Sequence, residues 1–371
     1  MKTQLTSIHK PNILHIDSER GWRGGQQQAA YLFEHLHLQG YMTMMACQPK
    51  SALHQYCLEK QLPCLPIRMR GEWDFIAGYR IAQFCKLNNI NILHLHSAHA
   101  LSTGIWVKLF YPQVRTIGVR RVDFPIQKNL LSQLKYSPRY MNRVVCISEG
   151  IRQVMINCGV PEDILVTIHS GVDLQKYTHI EKSPEFRNTW QIPEHHLIVG
   201  TVAALTWHKD YPNLLHAARK VIDHYPNVTF IAVGGGEDEA ELKALAIKLN
   251  LGNHFIFAGF NKELGIFYNH FDMFVLSSVM EGLGTSILDA QAVGLPVIAC
   301  RTGGIPEAVF DNENGLLVPP QNSEALANAI LTLLCDEKKR HALGKHAQET
   351  VKSFSIEHTV QKNVRLYQEI G

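Results

Sequence analysis

Two acidic residues flank a glycine turn in the segment SSVMEGLGTSILDAQAVGLPVIAC, residues 277–300. Glu281 stands just before Gly282 and Gly284, and Asp289 follows eight positions later on a predicted helix. Glycine lets backbone approach a ligand closely, and the free N–H groups at the start of a helix attract a phosphate. Glu281 is suited to accept hydrogen bonds from sugar hydroxyls, and Asp289 is suited to hold a diol such as a ribose. From the residues alone, a glycine turn with two solvated acids explains the pattern equally well.

Three histidines end a predicted strand in the segment NILHLHSAH, residues 91–99. His94 and His96 lie on one face of that strand, as metal ligands can, but no acidic residue stands nearby to complete a site. Histidines at a strand end are more often hydrogen-bonded within the fold, so no metal site is predicted. His99 is the histidine expected to face a ligand cleft.

Short apolar runs alternate with helical stretches along the whole chain, a pattern typical of doubly wound parallel α/β sheets. We expect a first Rossmann-like domain over residues 1–175 and a second over residues 196–354. Polarity rises over residues 176–195, which therefore read as a linker. A C-terminal helix over about residues 355–371 is expected to pack back on the first domain.

The bulk composition excludes several classes of protein. The chain has 371 residues, 46% of them hydrophobic and 19% charged, which suits two ordinary cores rather than disorder. It contains no apolar run long enough for a membrane span and no signal-peptide pattern at its start. Its eight scattered cysteines favour reduced thiols and a cytoplasmic location.

The net charge of +3 is unevenly distributed along the chain. Residues 1–180 hold 20 Lys and Arg against 11 Asp and Glu, whereas the remainder of the chain is acidic. The excess is modest and no nucleic-acid-binding motif accompanies it, so nucleic acid is not predicted as a partner.

Several sequence blocks follow one another in a recognisable order from Ser277 onward: EGLG, GLPV, GGIPE and NGLLVPP. This order resembles the C-terminal signature of retaining glycosyltransferase family 4. Residues 144–177 and 200–218 resemble further blocks of the same family, so the resemblance covers most of the chain. It implies the GT-B fold, two Rossmann-like domains facing each other across a cleft. It also implies transfer of a sugar from a UDP-, GDP- or ADP-sugar with retention at the anomeric carbon, without a metal or other cofactor.

The resemblance assigns a role to each residue of the glycine turn. Glu281 would contact the donor sugar, Asp289 would hold the ribose, and Lys209 would bind the diphosphate. The sequence departs from the family twice, with Asp289 where Glu is usual and Ala204 where an Arg is usual. The diphosphate would lie against the backbone of five consecutive residues, Gly282, Leu283, Gly284, Thr285 and Ser286. The base would lie near Phe260.

In the first domain, Gly24 and Gly25 resemble the family's glycine loop, which would approach the sugar or the diphosphate. Trp22 and Arg23 would line the acceptor site, although a packed Trp22 is equally compatible with the sequence. Arg120 and Arg121 follow a strand where many family members have a His. They would replace the charge missing at Ala204 or bind an anionic acceptor; a surface salt bridge with Asp123 is the alternative. Arg120 and His99 join Lys209 and Glu281 as predicted catalytic residues.

The acceptor is predicted to be lipid-linked, or a lipopolysaccharide or polysaccharide, with a small soluble acceptor as the alternative. Seven basic residues and interleaved apolar ones over residues 115–143 suit docking on the anionic inner face of the cell membrane. An amphipathic core helix explains the same spacing. A nucleotide-sugar epimerase of the same fold and a non-catalytic nucleotide-sugar binder are the rival functions.

Overall fold

The computed structural model describes residues 10–127, 130–177 and 182–371. The chain divides into two compact units. The first runs to Ser170 and also includes Ile356–Gly371, and the second spans Gly171–Ser355. Within the described residues, no helix combines the length and the apolar character needed to cross a lipid bilayer.

The first unit is built on a parallel sheet of seven strands in the order β3-β2-β1-β4-β5-β6-β7. The order reverses direction between β1 and β4, so these two central strands pair with each other in parallel. Their apolar side chains are buried on both faces, as expected for a sheet covered by helices. The strands are β1 Ile13–Asp17, β2 Thr43–Cys47, β3 Cys64–Pro66, β4 Ile92–Leu95, β5 Arg115–Arg120, β6 Arg143–Cys146 and β7 Leu165–Thr167.

Helices connect these strands, and short polar residues begin several of them. Ser51 accepts a hydrogen bond from the backbone of His54, and Asp74 and Ser148 cap later helices in the same way. The helices of this part of the chain are α1 Gly24–Leu38, α2 Ala52–Glu59, α3 Phe75–Leu87, α4 Ala98–Phe110, α5 Leu130–Leu134 and α6 Glu149–Asn157.

The second unit repeats the architecture with a parallel sheet of six strands in the order β10-β9-β8-β11-β12-β13. Its strands are β8 Leu197–Val202, β9 Val228–Val233, β10 Phe255–Gly259, β11 Met273–Leu276, β12 Val297–Cys300 and β13 Gly315–Val318. Its helices are α7 Phe186–Thr189, α8 Tyr211–His224, α9 Glu239–Lys248, α10 Leu264–His270, α11 Thr285–Ala292, α12 Ile305–Ala308, α13 Ser323–Cys335 and α14 Glu337–Thr350.

The last helix, α15 Ile356–Ile370, belongs to the first unit. Its Tyr367 is fully buried, and the Tyr367 hydroxyl lies 2.6 Å from Nδ1 of His94 on β4. The change from the first unit to the second falls at Ser170, a few residues before the predicted boundary at 175.

Part of the segment predicted as a linker packs within the second unit. Residues 178–181 lie outside the described residues. Phe186 of α7 is buried, and its ring stacks on His270 with ring centroids 4.0 Å apart. Phe186 also packs edge-on against Phe267. The sequence did not predict this packing of Phe186, because a single buried aromatic residue changes the average polarity of a segment little.

The predicted α/β class, with two doubly wound sheets, is confirmed. The three-residue strand β7 Leu165–Thr167 was not predicted. Such a short strand has no periodicity of its own and is recognised only by its pairing with β6.

The central strand β8 has no space for a side chain at Gly200. A Cβ placed there would lie 2.0 Å from the ring of Phe271, which is itself buried. We expect Gly200→Ala to lower the free energy of unfolding by about 1–3 kcal/mol, because the buried ring cannot move away freely. Thermal unfolding measures this loss. Gly21→Ala is the control, since a Cβ at Gly21 meets nothing within 4 Å, and equal effects of the two changes would contradict the packing argument.

Candidate functional site

The strand order of the second sheet reverses between β8 and β11, and ligands of open α/β sheets bind beyond the carboxyl ends of strands at such a point. Residues 203–210 follow β8, and residues 277–284 follow β11. Most of the residues predicted to bind a donor lie in these two loops and at the start of α11. Parallel pairing of the two strands brings both loops to the same sheet edge.

Hydrogen bonds hold these two loops together. The backbone N–H of Val279 donates to the carbonyl of His208 over 2.9 Å. The Ser277 hydroxyl donates to the carbonyl of Lys209 over 2.7 Å. The hydroxyl of Thr302, beyond β12, donates to the Val279 carbonyl over 2.8 Å. Lys209 is therefore positioned by its backbone, independently of its side chain.

The glycines of the segment VGGG support the loop after β8 from its other side. A Cβ at Gly234 would lie 2.0 Å from the carbonyl oxygen of Ala203, and one at Gly236 would lie 2.1 Å from that of Leu205. The Leu205 N–H also donates to the carbonyl of Gly235 over 3.1 Å. These glycines allow two loops to touch backbone to backbone.

The side chains of Lys209 and Glu281 form an ion pair across the two loops. Both side chains keep 15% of their surface exposed, so the pair is partly shielded yet reachable. The Ser278 hydroxyl donates to the same carboxylate oxygen over 3.3 Å, and the Glu281 carbonyl accepts from the N–H of Gly304 over 3.1 Å. The sequence predicted both residues at the site but did not predict that they pair.

The glycine turn after Glu281 has the geometry that its sequence predicts. Gly284 adopts a left-handed conformation, with φ of 80°, and forms the N-cap of α11. A side chain would be strained there, and a Cβ would also meet Ile287 at 2.9 Å. The side chain of Leu283 is fully buried, so only its backbone is suited to meet a ligand. Thr285 and Ser286 are the half-buried first residues of the helix.

Asp289 is buried on α11 and faces the 3₁₀ turn Leu174–Tyr177. Burial raises the pKa of the Asp289 carboxyl, while the positive charge of Lys176 and the hydroxyl of Tyr177 act in the opposite direction. Sequence reasoning missed these two neighbours, because they stand more than a hundred residues away. The predicted ribose contact of Asp289 remains a prediction.

Two further residues of this unit were singled out from the sequence. Phe260 follows β10 and is 64% exposed, and Ala204 follows β8 and is exposed.

In the first unit, Arg121 follows β5 and carries a buried guanidinium nitrogen, Nε, with no hydrogen-bond partner among the described residues. Burial lowers the pKa of Arg121 to about 10, and the carboxylate of Asp17 counteracts this effect. Gly25 makes room for the arginine, since a Cβ there would lie 3.3 Å from Arg121 Cδ. Gly24 and Gly25 are the first two residues of α1, and neither has a positive φ.

Arg121 lines a recess whose wall combines residues from several strand ends and from α15. Besides Arg121, four of its residues keep a buried polar atom without a partner among the described residues: Nε2 of His94, Nδ1 of His96, the Ser170 hydroxyl and the Asn363 amide oxygen. Unpaired buried polar atoms are costly, so their convergence beside the Arg121 guanidinium marks a place for a polar group that can both donate and accept hydrogen bonds. The contribution of Asn363 could not be predicted from the sequence.

His15, His94 and His96 form a buried cluster beside this recess, with one ring nitrogen of each within 4.8 Å of the others. Nδ1 of His15 lies 2.9 Å from Nε2 of His96. Burial lowers the pKa of all three imidazoles, to about 3 for His15, so they are neutral at physiological pH. Neutral imidazoles are metal ligands, but Arg121 adds positive charge that disfavours a cation here. The prediction that His94 and His96 are hydrogen-bonded within the fold agrees with these contacts, whereas His15 was missed.

The remaining predicted residues of the first unit have varied surroundings. The Arg120 guanidinium donates to the Tyr136 hydroxyl and to the carbonyl of Phe124, so it is engaged within the unit. His99 is exposed in the first turn of α4. Trp22 is half-buried against Tyr56, with ring centroids 5.3 Å apart, and Arg23 is the exposed N-cap of α1.

Several side chains of the stretch 115–143 are packed within the first unit. Lys128 and Asn129 lie outside the described residues. Tyr136 is buried, and so is Lys135, which forms an ion pair with Glu72. These contacts favour the core-helix interpretation of the stretch over membrane docking.

Two Rossmann-like units with loops gathered at a reversal of strand order define the class of GT-B glycosyltransferases, as predicted. The family model described as glycosyltransferase family 4 matches residues 22–176, and the model described as glycosyl transferases group 1 matches residues 182–350. The chain belongs to the group 1 glycosyltransferases, and it is a glycosyltransferase.

Known proteins resemble the chain over most of its length. An N,N'-diacetylbacillosaminyl-diphospho-undecaprenol α-1,3-N-acetylgalactosaminyltransferase of Campylobacter jejuni is 27% identical over 76% of the chain and 79% of that protein. An N-acetyl-α-D-glucosaminyl L-malate synthase of Bacillus anthracis is 21% identical over 80% of each. The crystal structure of Anabaena HepE with UDP and glucose superposes with a TM-score of 0.84 at 19% identity, over 97% of this chain and 100% of that one.

The buried carboxyl of Asp289 predicts a stability that depends on pH. Because its pKa is raised in the folded protein, the folded state holds the proton more tightly than the unfolded chain. Its contribution to stability therefore falls as pH rises from the unfolded value of 3.8 through the folded value, and it is least favourable at neutral pH.

We expect Asp289→Asn to raise the melting temperature at neutral pH and to raise it less at acidic pH. Thermal unfolding at several pH values measures the difference. Glu241→Gln, a change at an exposed acid on α9, is the control and should have no such effect. A lower melting temperature for Asp289→Asn at neutral pH would show that the ionised carboxylate is stabilising instead.

Proposed function

We propose that the protein transfers a sugar from a nucleoside diphosphate sugar to a lipid-linked or other anionic saccharide acceptor, with retention at the anomeric carbon. The observation that carries the proposal is the Lys209–Glu281 ion pair beside the glycine turn at Gly284. A cation, a carboxylate and a helix N-terminus within one pair of loops suit a substrate made of a diphosphate and a sugar.

On the donor side, the two members of the ion pair have complementary tasks. A diphosphate competes with Glu281 for the ammonium group of Lys209, because the two phosphates together carry more negative charge than one carboxylate. Glu281, released from Lys209, then accepts hydrogen bonds from the sugar hydroxyls. The backbone of residues 282–286 at the start of α11 receives the phosphates, and Asp289 holds the ribose. The crystal structure of Anabaena HepE is a complex with UDP and glucose, which supports a nucleotide sugar as the donor for this chain.

The chemical step needs stabilisation of the departing diphosphate more than it needs a strong nucleophile. The bond from the anomeric carbon to the phosphate oxygen breaks, and a bond from an acceptor hydroxyl oxygen to that carbon forms. The hydroxyl proton passes to the departing phosphate, on whose oxygen negative charge grows. Lys209 and the helix N-terminus neutralise this charge, and fixed charges of this kind act without reorganisation. The transfer is proposed to need no metal ion. Retention is proposed from the resemblance of the motifs to a retaining family.

On the acceptor side, the recess around Arg121 in the first unit suits an anionic group. A guanidinium binds phosphate or carboxylate oxygens through two parallel hydrogen bonds. The Campylobacter relative is named for a diphospho-undecaprenol compound, and the Bacillus relative is named for the synthesis of N-acetyl-α-D-glucosaminyl L-malate; both names contain an anionic group. These names support an anionic acceptor for this chain.

The donor assignment is tested by release of nucleoside diphosphate from a panel of UDP-, GDP- and ADP-sugars, with and without a lipid extract as the acceptor source. We expect acceptor-dependent release in the presence of EDTA. Lys209→Met should lower kcat by about 100- to 1,000-fold, because one stabilising charge is lost from the transition state. Glu281→Ala should abolish release.

Lys243→Met is the matched control, since Lys243 also pairs with a glutamate, Glu239, on the exposed face of α9. It should leave the rate unchanged. Isomerised donor without acceptor would instead identify an epimerase, and binding without turnover would identify a nucleotide-sugar binder. The anomeric configuration of the product, measured by NMR, tests retention.

The acceptor assignment is tested by Arg121→Gln. We expect kcat/KM for the acceptor to fall by about 10- to 100-fold, because a charge-assisted hydrogen bond to an oxyanion is lost. Binding of the free nucleotide, measured by calorimetry, should not change. Arg115→Gln removes the same charge at the opposite, exposed end of β5 and serves as the control. Equal losses in both variants would show an effect of net charge alone and would contradict a specific subsite.

A further inference from the structure

An exposed group of large apolar side chains lies on α3, on the turn before it and at the end of α4. Their exposed fractions range from 37% to 68%, which is high for aromatic residues. We refer to this group as the aromatic patch, and it consists of Trp73, Phe75, Ile76, Tyr79, Leu109 and Phe110. Exposed apolar side chains that cluster mark surfaces for a partner or a membrane, whereas isolated ones need no explanation.

Packing of α3 against α4 makes the aromatic patch continuous. A Cβ at Gly78 would lie 2.3 Å from Cβ of Trp106, so the glycine lets the two helices approach closely. The Trp106 ring lies 6.1 Å from that of Trp73, and one turn further along α4 Phe110 meets Tyr79 edge-on at 5.3 Å. The indole N–H of Trp106 donates to the Glu72 carbonyl over 2.9 Å, which joins the turn before α3 to α4.

Exposed basic residues stand on α3 and on the segment before it, together with most of the aromatic patch. Over residues 68–87, four exposed residues are basic: Arg68, Arg70, Arg80 and Lys86. The two acidic residues of the same segment are both engaged. Glu72 forms an ion pair with Lys135, and Asp74 caps α3 and accepts from the backbone N–H groups of Ala77 and Arg70. The outward charge around the patch is therefore positive.

We propose that the aromatic patch docks the first unit on the surface of an anionic lipid bilayer. Aromatic side chains favour the headgroup level of a membrane, and nearby Lys and Arg side chains gain from anionic lipids. The inference extends the proposed function, since a lipid-linked acceptor lies in a membrane.

The aromatic patch differs from the stretch 115–143 that the sequence indicated. That stretch contributes a supporting contact, because the buried Lys135 neutralises Glu72 beneath the patch. The apolar residues of α3 were not recognised from the sequence as a membrane surface. Phe75, Ile76 and Tyr79 alternate with the buried Ala77 and Ile81, and the pattern looks like that of any amphipathic helix.

Co-sedimentation with vesicles tests the proposal with the purified full chain and without donor or acceptor. Vesicles of phosphatidylcholine alone are compared with vesicles that also contain phosphatidylglycerol, at low and high salt. We expect binding to the anionic vesicles only, weakened by salt. Arg70→Gln combined with Arg80→Gln should weaken binding by about 30-fold. Phe75→Ser combined with Ile76→Ser should weaken it at least as much.

Two control variants alter apolar residues elsewhere that are even more exposed, Leu38→Ser in the first unit and Ile247→Ser in the second. Both should bind vesicles as the unchanged protein does, and circular dichroism checks that every variant is folded. Absence of binding to anionic vesicles, or equal binding by the patch variants and the unchanged protein, would overturn the proposal. So would a dimer in gel filtration that the patch variants abolish, because the patch would then be a protein interface.

The vesicle assay is independent of catalysis. An enzyme that transfers sugar but ignores anionic vesicles would refute docking and leave the proposed function intact. A protein that binds vesicles through the patch but transfers no sugar would support docking and refute the proposed function.

Discussion

Close backbone contact around the loop after β8 is the constraint on which the donor site depends. The carbonyl oxygens of Ala203 and Leu205 lie so close to Gly234 and Gly236 that neither glycine has room for a Cβ. Hydrogen bonds from the loop after β11 hold the end of the same loop, at His208 and Lys209. These contacts fix the backbone of Lys209 opposite Glu281. They arise because the strands are parallel, so that consecutive loops emerge at one edge of the sheet.

The charged side chains of the two candidate sites are neutralised to different extents. In the second unit, Lys209 and Glu281 neutralise each other at the site. In the first, Arg121 is half-buried beside three neutral histidines, and its guanidinium nitrogen Nε is buried without a partner among the described residues. A cation desolvated in this way lowers the stability of the free protein. Its retention is understandable if an anionic substrate supplies the missing partner.

Much of the fold and part of the site were predictable because they rest on local patterns. Buried parallel strands read as short apolar runs, and Gly284 needs the positive φ that only glycine adopts easily. Other features involve residues distant in sequence: the pairing of Asp289 with the turn at Lys176 and Tyr177, and the part of Asn363 in the recess. The stretch 115–143 was ambiguous because an amphipathic helix has the same spacing whether a core or a membrane covers it.

The sequence by itself determined the class of fold, the family resemblance and the residue types at the glycine turn, since each depends on neighbours within a few positions. Only the tertiary structure decided that Lys209 pairs with Glu281, that His15 joins His94 and His96, and that aromatic side chains of α3 and α4 form one exposed surface. Burial and pairing depend on which helices, strands and loops meet in space, and contacts between segments distant in sequence produce no periodic pattern in the sequence.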